Sequence, residues 1–318
     1  MTKSDLLRVW GGILRGRTPF LSLEITKECP LHCPGCYAYS PDHVAPLVSI
    51  RQLSDYRGAE LVRAAVAVVR RFRPVHVSII GGEPLVRYRE LSELLPLLDH
   101  MGVEVQLVTS AVRPIPAEWT AIPSLHLVVS IDGLAAEHDR RRTPATYDRI
   151  LKHIDGHRIA VHCTVTRPML ARPGYLAEFA SFWSAQPGVH RVWFSIYTPQ
   201  EGDRSEERLL PADRAALLDE LAQLGQAFPK VHLPREVLAG YRTPPQSPSE
   251  CAFARVTTCL SADLQTAVTP CQLGGRPVCS ECGCMASAGM HGVGMLRLGG
   301  LVPLSSILNG SIRLGHAF

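Results

Sequence analysis

The 318-residue chain contains no run of eighteen apolar residues, so no segment reads as a membrane-spanning helix. Met1 to Arg17 is charged and has no continuous apolar core, so a secretory signal is not expected and a cytoplasmic location is. Aromatics are scarce, at 6% of residues. The net charge is only +4, with arginines at 70, 71 and 73 and again at 140, 141 and 142. A nucleic-acid binder needs a concentrated basic face with exposed aromatics, and this composition argues against one. It leaves room for an anionic ligand. Internal repeats and low-complexity tracts are also lacking. With 46% apolar and 19% charged residues the chain can bury a large core. One large α/β domain with an appendage, or two ordinary domains, fits the length.

What the sequence does have is cysteine. Nine of its ten cysteines fall at positions 29–36 and 251–284, and Cys163 stands alone. In a reducing compartment, clustered thiols read as metal ligands rather than disulfides. Cys163 lies at an apolar position and reads as a core thiol.

Between residues 20 and 228, apolar β-type runs alternate with helical patterns. Strands are expected at 20–27, 75–80, 103–109, 125–131, 158–166 and 191–197. Helices are expected at 52–73, 87–100, 116–121, 145–157, 173–186 and 211–228. Strict alternation implies a parallel sheet with helices outside. Six such units fall short of the eight that close a full barrel, so the expected fold is α/β, a partial (β/α)6 TIM-like barrel. One parity of each strand is partly polar, for example Glu24 and Thr26, Ser130 and Asp132, His162 and Thr164, Ser195 and Tyr197. That parity should face the lumen and suit a polar cofactor. Residues 1–19 form an N-terminal segment, Pro-rich 229–250 a linker, and 251–318 a cysteine-rich extension with an apolar tail. Within that tail 301–314 is a weak helix candidate.

Cys29, Cys33 and Cys36 follow the first strand with the spacing Cys-x-x-x-Cys-x-x-Cys. Three thiolates there can hold three irons of a [4Fe–4S] cube and leave the fourth open. A zinc knuckle would want a fourth protein ligand, and His32 is poorly placed on so tight a loop. Gly81, Gly82, Glu83 and Pro84 follow the second strand. Glycines allow close backbone approach, and a carboxylate can pair with an ammonium.

These motifs resemble the radical S-adenosylmethionine (SAM) superfamily. Ser130-Ile131-Asp132-Gly133, followed by His138, Asp139 and Arg142, resembles the members with SPASM or twitch extensions, which include anaerobic sulfatase-maturating enzymes and many peptide modifiers. The resemblance implies that Gly81 to Pro84 hold the amino group of SAM. It implies that Ser130 and Asp132 face the ribose, that Arg142 meets the methionine carboxylate, and that Thr109 and Ser110 contact SAM. At 109–111 relatives carry Thr-Asn-Gly and this chain has Thr-Ser-Ala.

Cys251, Cys259, Cys271, Cys279, Cys282 and Cys284 crowd into 34 residues. The run through Val268-Thr269-Pro270-Cys271 resembles the hairpin that holds an auxiliary [4Fe–4S] cluster in SPASM and twitch regions. A full SPASM region would need more ligands, so one auxiliary cluster with two spare cysteines is expected. The favoured ligands are Cys251, Cys259, Cys271 and Cys282, with Cys279 and Cys284 as alternatives. A zinc ribbon is the rival use of Cys279-x-x-Cys282.

The implied activity is reductive cleavage of SAM to a 5′-deoxyadenosyl radical that takes hydrogen from a substrate carbon, in a lumen supplied by the protein. The auxiliary cluster would make the net reaction oxidative: dehydrogenation, cross-linking or thioether formation. A small molecule, a lipid precursor or a leader-free peptide is the expected substrate, and flavodoxin or ferredoxin the expected electron donor. No catalytic acid or base is readable. The runner-up is non-oxidative radical chemistry, such as addition or epimerisation, with a structural second cluster. A plain iron–sulfur electron carrier would need neither the Gly-Gly-Glu-Pro turn nor Ser130.

Overall fold

The structure is a computed structural model that describes residues 3–144 and 147–316. Its centre is a curved, wholly parallel seven-stranded sheet. The strands are β1 (Phe20–Glu24), β2 (His76–Ile80), β3 (Glu104–Thr109), β4 (Leu125–Ser130), β5 (Ile159–Val165), β6 (Val189–Ile196) and β7 (Thr257–Leu260), in the order β6-β5-β4-β3-β2-β1-β7. All six expected strands form, each within about three residues of its expected ends. The seventh was not foreseen. It comes from the cysteine-rich extension and lies parallel to β1, with Cys259 opposite Ser22.

The expected parity holds. Leu21, Leu23, Val77, Ile79, Val105, Leu107, Leu127, Val129, Val161, Cys163, Val192 and Phe194 pack outward into one core with the helices. Glu24, His162, Thr164 and Ser195 take the inner parity. The polar side chains thus share the lumen because the apolar ones are drawn to the helix layer.

Helices cover the outside at Gly58–Phe72, Tyr88–His100, Tyr175–Ala185 and Pro211–Ala227. The first starts at Gly58 rather than 52. Asp55 is drawn out of the helical path to pair with the buried Arg87 (3.0 Å) and Thr26 (2.9 Å). The expected helix at 145–157 is observed as Tyr147–His153, and its first two residues lie outside the described ones.

The stretch expected as an irregular linker carries a helix, Arg235–Arg242. Its face packs on the helix Met285–Met295 through two glycines. A Cβ on Gly240 would meet the Ala288 carbonyl oxygen at 1.9 Å, and one on Gly292 the Glu236 carbonyl oxygen at 1.7 Å. Tyr241, fully buried, donates its hydroxyl to the Phe194 carbonyl of β6 (2.7 Å). The prolines at 244, 245 and 248 follow this helix and masked it in the sequence. The tail forms a helix at Leu304–His316, which joins the helix Lys3–Ile13 in a second small core of Val9, Ile13, Val75 and Val256 with Met290, Leu308 and Ile312. Among the described residues no helix is long and apolar enough to cross a membrane.

Candidate functional site

β1 stops at Glu24 because its continuation is bonded by the turn after β2. The amide of Gly82 donates to the Thr26 carbonyl and that of Glu83 to the Glu28 carbonyl, both at 2.8 Å. Gly82 has to lack a side chain, since a Cβ there would sit 2.2 Å from the Glu28 oxygen. Gly81 adopts φ +132, a conformation that favours glycine. The two motifs are therefore one structure, with the Gly-Gly-Glu-Pro turn strapped to the residue before Cys29. Arg87, just past the turn, is buried and bridges Glu28 and Asp55 (3.0 Å each). Nothing local in the sequence singled out Arg87, because its partners are 59 and 32 residues away.

Cys29, Cys33 and Cys36 lie on the loop beyond this strap. Burial pushes the Cys29 thiol up to about 12, with Glu83 adding to the rise, and it also raises Cys33 and Cys36. Arg142 and Arg141 oppose the rise at Cys33. Such thiols stay protonated until a cationic centre displaces the protons, as iron ligation does. Among the described residues no three His, Cys, Asp or Glu side chains converge on a point fit for one metal ion. An iron–sulfur cube instead binds each thiolate through a different iron, which suits three thiols spread along a loop.

Glu83 is buried and its carboxylate is surrounded by donors. Oε1 accepts from the Leu85 amide (2.9 Å) and Thr109 Oγ1 (2.5 Å). Oε2 accepts from the Ser110 amide (2.8 Å) and from Ser110 Oγ. Thr109 and Ser110, expected as SAM contacts, serve here to hold Glu83.

Asp132, expected to face a ribose, has both its oxygens engaged inside the protein. Oδ1 accepts from the Thr164 amide (3.0 Å), and Oδ2 from Arg142 Nε (2.8 Å) and Arg141 Nη1. Burial alone would raise its pKa; Arg142 and Arg141 instead hold it well below the usual carboxylate range. Arg142 is buried beside Cys33 rather than solvated at the surface. Arg141 also pairs with Glu207 through Nε (2.6 Å) and Nη2 (3.1 Å). The loop after β6 supplies Glu207, and the sequence gave no sign of this partner. Ser130 ends β4 next to His162 in register, and His162 Nε2 meets Ser195 Oγ at 2.7 Å. Burial lowers His162 to about 4, so it is neutral near pH 7.

The second cysteine group surrounds a cleft walled by Cys251, Cys271, Cys279, Cys282 and Cys284. The rest of its wall is proline and apolar side chains, with Gln272 and Ser287 as the polar exceptions. Burial pushes Cys271 up to about 12 and Cys279 up to about 11, and neighbouring thiolates add to both. A dry cleft with five thiols fits an iron–sulfur cluster shielded from water. Cys259, expected among the ligands, is not on this wall. It sits in β7 with its backbone in the barrel ladder, beside Glu24, Cys271 and Cys284.

Residues 23–173 match the sequence profile of the Radical SAM superfamily. Over 105 residues the chain is 33% identical to 7-carboxy-7-deazaguanine synthase of Hyperthermus butylicus, covering 32% of this chain and 39% of that protein. Over 219 residues it is 29% identical to GTP 3′,8-cyclase of Rhodococcus opacus, covering 65% and 58%. The chain thus spans less than two thirds of either relative. Among solved structures, Streptococcus suis SuiB superposes with TM-score 0.57 at 14% identity, covering 82% of this chain and 62% of that one. The protein anSMEcpe, with bound AdoMet and the Cp18Cys peptide, superposes with TM-score 0.57 at 15% identity, covering 80% and 74%. At these identities the likeness is one of fold.

Proposed function

Starting from a chain whose residues 23–173 form a radical SAM domain, we propose that it cleaves SAM reductively and uses the radical to oxidise a substrate carbon held in the barrel lumen. The observation that carries this is the strap between motifs: Gly82 and Glu83 bonded to the residues that lead into Cys29. Cys29, Cys33 and Cys36 would hold a [4Fe–4S] cluster, which would supply the one electron needed to open the sulfonium of SAM. The chain's own residues orient SAM. Glu83 faces the ammonium, Arg142 the methionine carboxylate and Ser130 the ribose. Asp132 and Glu207 keep the two arginines in place, and the turn through Gly81 and Pro84 keeps Glu83 at the mouth of the lumen.

Cys251, Cys259, Cys271 and Cys282 would hold an auxiliary cluster, with Cys279 and Cys284 as alternatives. Barrel 20–228 and extension 251–318 act as the two working units. The oxidative assignment rests on this second thiol cleft. A peptide substrate is supported by the peptide-bound relatives of the same fold, among them SuiB with its precursor peptide SuiA. The second reading, a small molecule and non-oxidative chemistry, is supported by the names of the two curated relatives. A cytoplasmic flavodoxin or ferredoxin would supply electrons. Anaerobically purified protein, given dithionite and SAM, should release 5′-deoxyadenosine and methionine in equal amounts. Iron-replete protein that releases neither would overturn the proposal.

Glu83→Ala should weaken SAM binding by about ten- to a hundredfold, since a hydrogen bond to a charged group contributes roughly 1.5–3 kcal/mol. Equilibrium binding on protein with full iron content checks this. An unchanged dissociation constant would mean that Glu83 serves only Thr109 and Ser110.

A further inference from the structure

Glu24 and His43 are both fully or almost fully buried, at 2% and 0% exposure. His43 Nε2 meets Glu24 Oε1 at 2.6 Å. Glu24 Oε2 accepts from Ser261 Oγ at 2.6 Å, and His43 Nδ1 lies 3.3 Å from the Leu273 carbonyl oxygen. Burying a carboxylate and an imidazole is costly, and apolar residues of similar volume would usually stabilise a core at least as well. A pair of this kind is best explained by the geometry it specifies.

That geometry joins the two cysteine groups. Glu24 ends β1, five residues before Cys29, and His43 follows Cys36 by seven. The first cysteine loop is therefore strung between the two members of the pair. On the other side, Ser261 follows Cys259 by two residues and Leu273 follows Cys271 by two. The contact at the Cys271 turn is tight. Gly274 adopts φ +63, and a Cβ there would lie 2.0 Å from the His43 carbonyl oxygen and 2.5 Å from Nδ1. The Gly274 amide donates back to the Cys271 carbonyl at 2.9 Å.

We propose that Glu24 and His43 are a positioning pair that fixes the Cys271 turn of the second centre to the frame of the first cysteine loop. The pair acts through the turns that it holds. It sets where the second centre stands relative to the first. Its effect on that centre rests on the auxiliary-cluster reading above; its role as an anchor does not.

The test uses the full chain, purified anaerobically, with Glu24→Leu/His43→Leu, which keeps the site filled, and His43→Gln, which keeps a polar contact to Glu24. Amide hydrogen exchange over residues 259–274 should speed up about tenfold or more in the double variant, while amides of β3 and β4 stay unchanged. His43→Gln should recover most of the protection. Unchanged exchange at 259–274 in the double variant overturns the anchor. On a Cys29→Ala/Cys33→Ala/Cys36→Ala background, the electron paramagnetic resonance spectrum of the remaining iron should differ between parent and double variant. An identical spectrum, with exchange raised, overturns the effect on the second centre. If the parent on that background binds no iron, the auxiliary-cluster reading falls and with it that effect, while the exchange data still decide the anchor.

Discussion

Replacing Cys29, Cys33 and Cys36 together with alanine is expected to reduce release of 5′-deoxyadenosine to the level of protein-free controls. The reason lies in how the loop is built. Each thiol is raised by burial, and the loop is held by the strap from Gly82 and Glu83 rather than by the thiols themselves. Removing the sulfurs should therefore leave the barrel folded but unable to hold iron there. The variant should lose about four irons per chain, the content of one cube. It should keep whatever iron is bound at 251–284, because the second cleft is walled by other residues. Chromatography of the reaction products, with iron analysis of the same sample, checks both parts. Undiminished 5′-deoxyadenosine would remove the assignment of this loop, and loss of all iron would mean that the two cysteine groups do not load independently.

Single alanine changes at Cys251, Cys259 or Cys271 should each cost about four irons per chain, the whole of a second cube. Cys271 joins the group, its thiol being raised by burial and by Cys259, Cys282 and Cys251. Cys282 raises the pKa of Cys271, Cys279 and Cys284, and Cys251 that of Cys271, Cys279 and Cys282. Cys279→Ala and Cys284→Ala should cost less, since Cys282 lies beside both and is the favoured fourth ligand. Equal severity at all six positions would indicate a second auxiliary centre. Zinc in place of iron would take away the electron acceptor and favour the non-oxidative reading.

The barrel was legible because its signals are local and repeated. A parallel sheet covered by helices needs apolar outward positions at period two and helices at period 3.6 between strands. Strands and helices alternate in this way between Phe20 and Ala227. Arg235–Arg242 was hidden by the prolines after it, and its apolar face is only Val237, Gly240 and Tyr241. β7 was hidden because four residues give little periodicity, and its partner β1 lies more than 230 residues earlier.

For the site, the sequence by itself singled out the candidate thiols, carboxylate and glycines, because ligation and close backbone approach demand particular residue types at fixed short spacing. Only the tertiary structure decided the partnerships. It turned Asp132 toward Arg141 and Arg142, gave Glu83 its four donors, brought Glu207 to Arg141, placed Cys259 in the ladder beside β1 and set His43 against Glu24. Each of these is set by a burial that chain neighbours do not control. A buried charge or hydrogen-bonding group must find its partner wherever the packed chain supplies one, and here the partners for Arg141 and Glu24 arrive from segments 66 and 237 residues away.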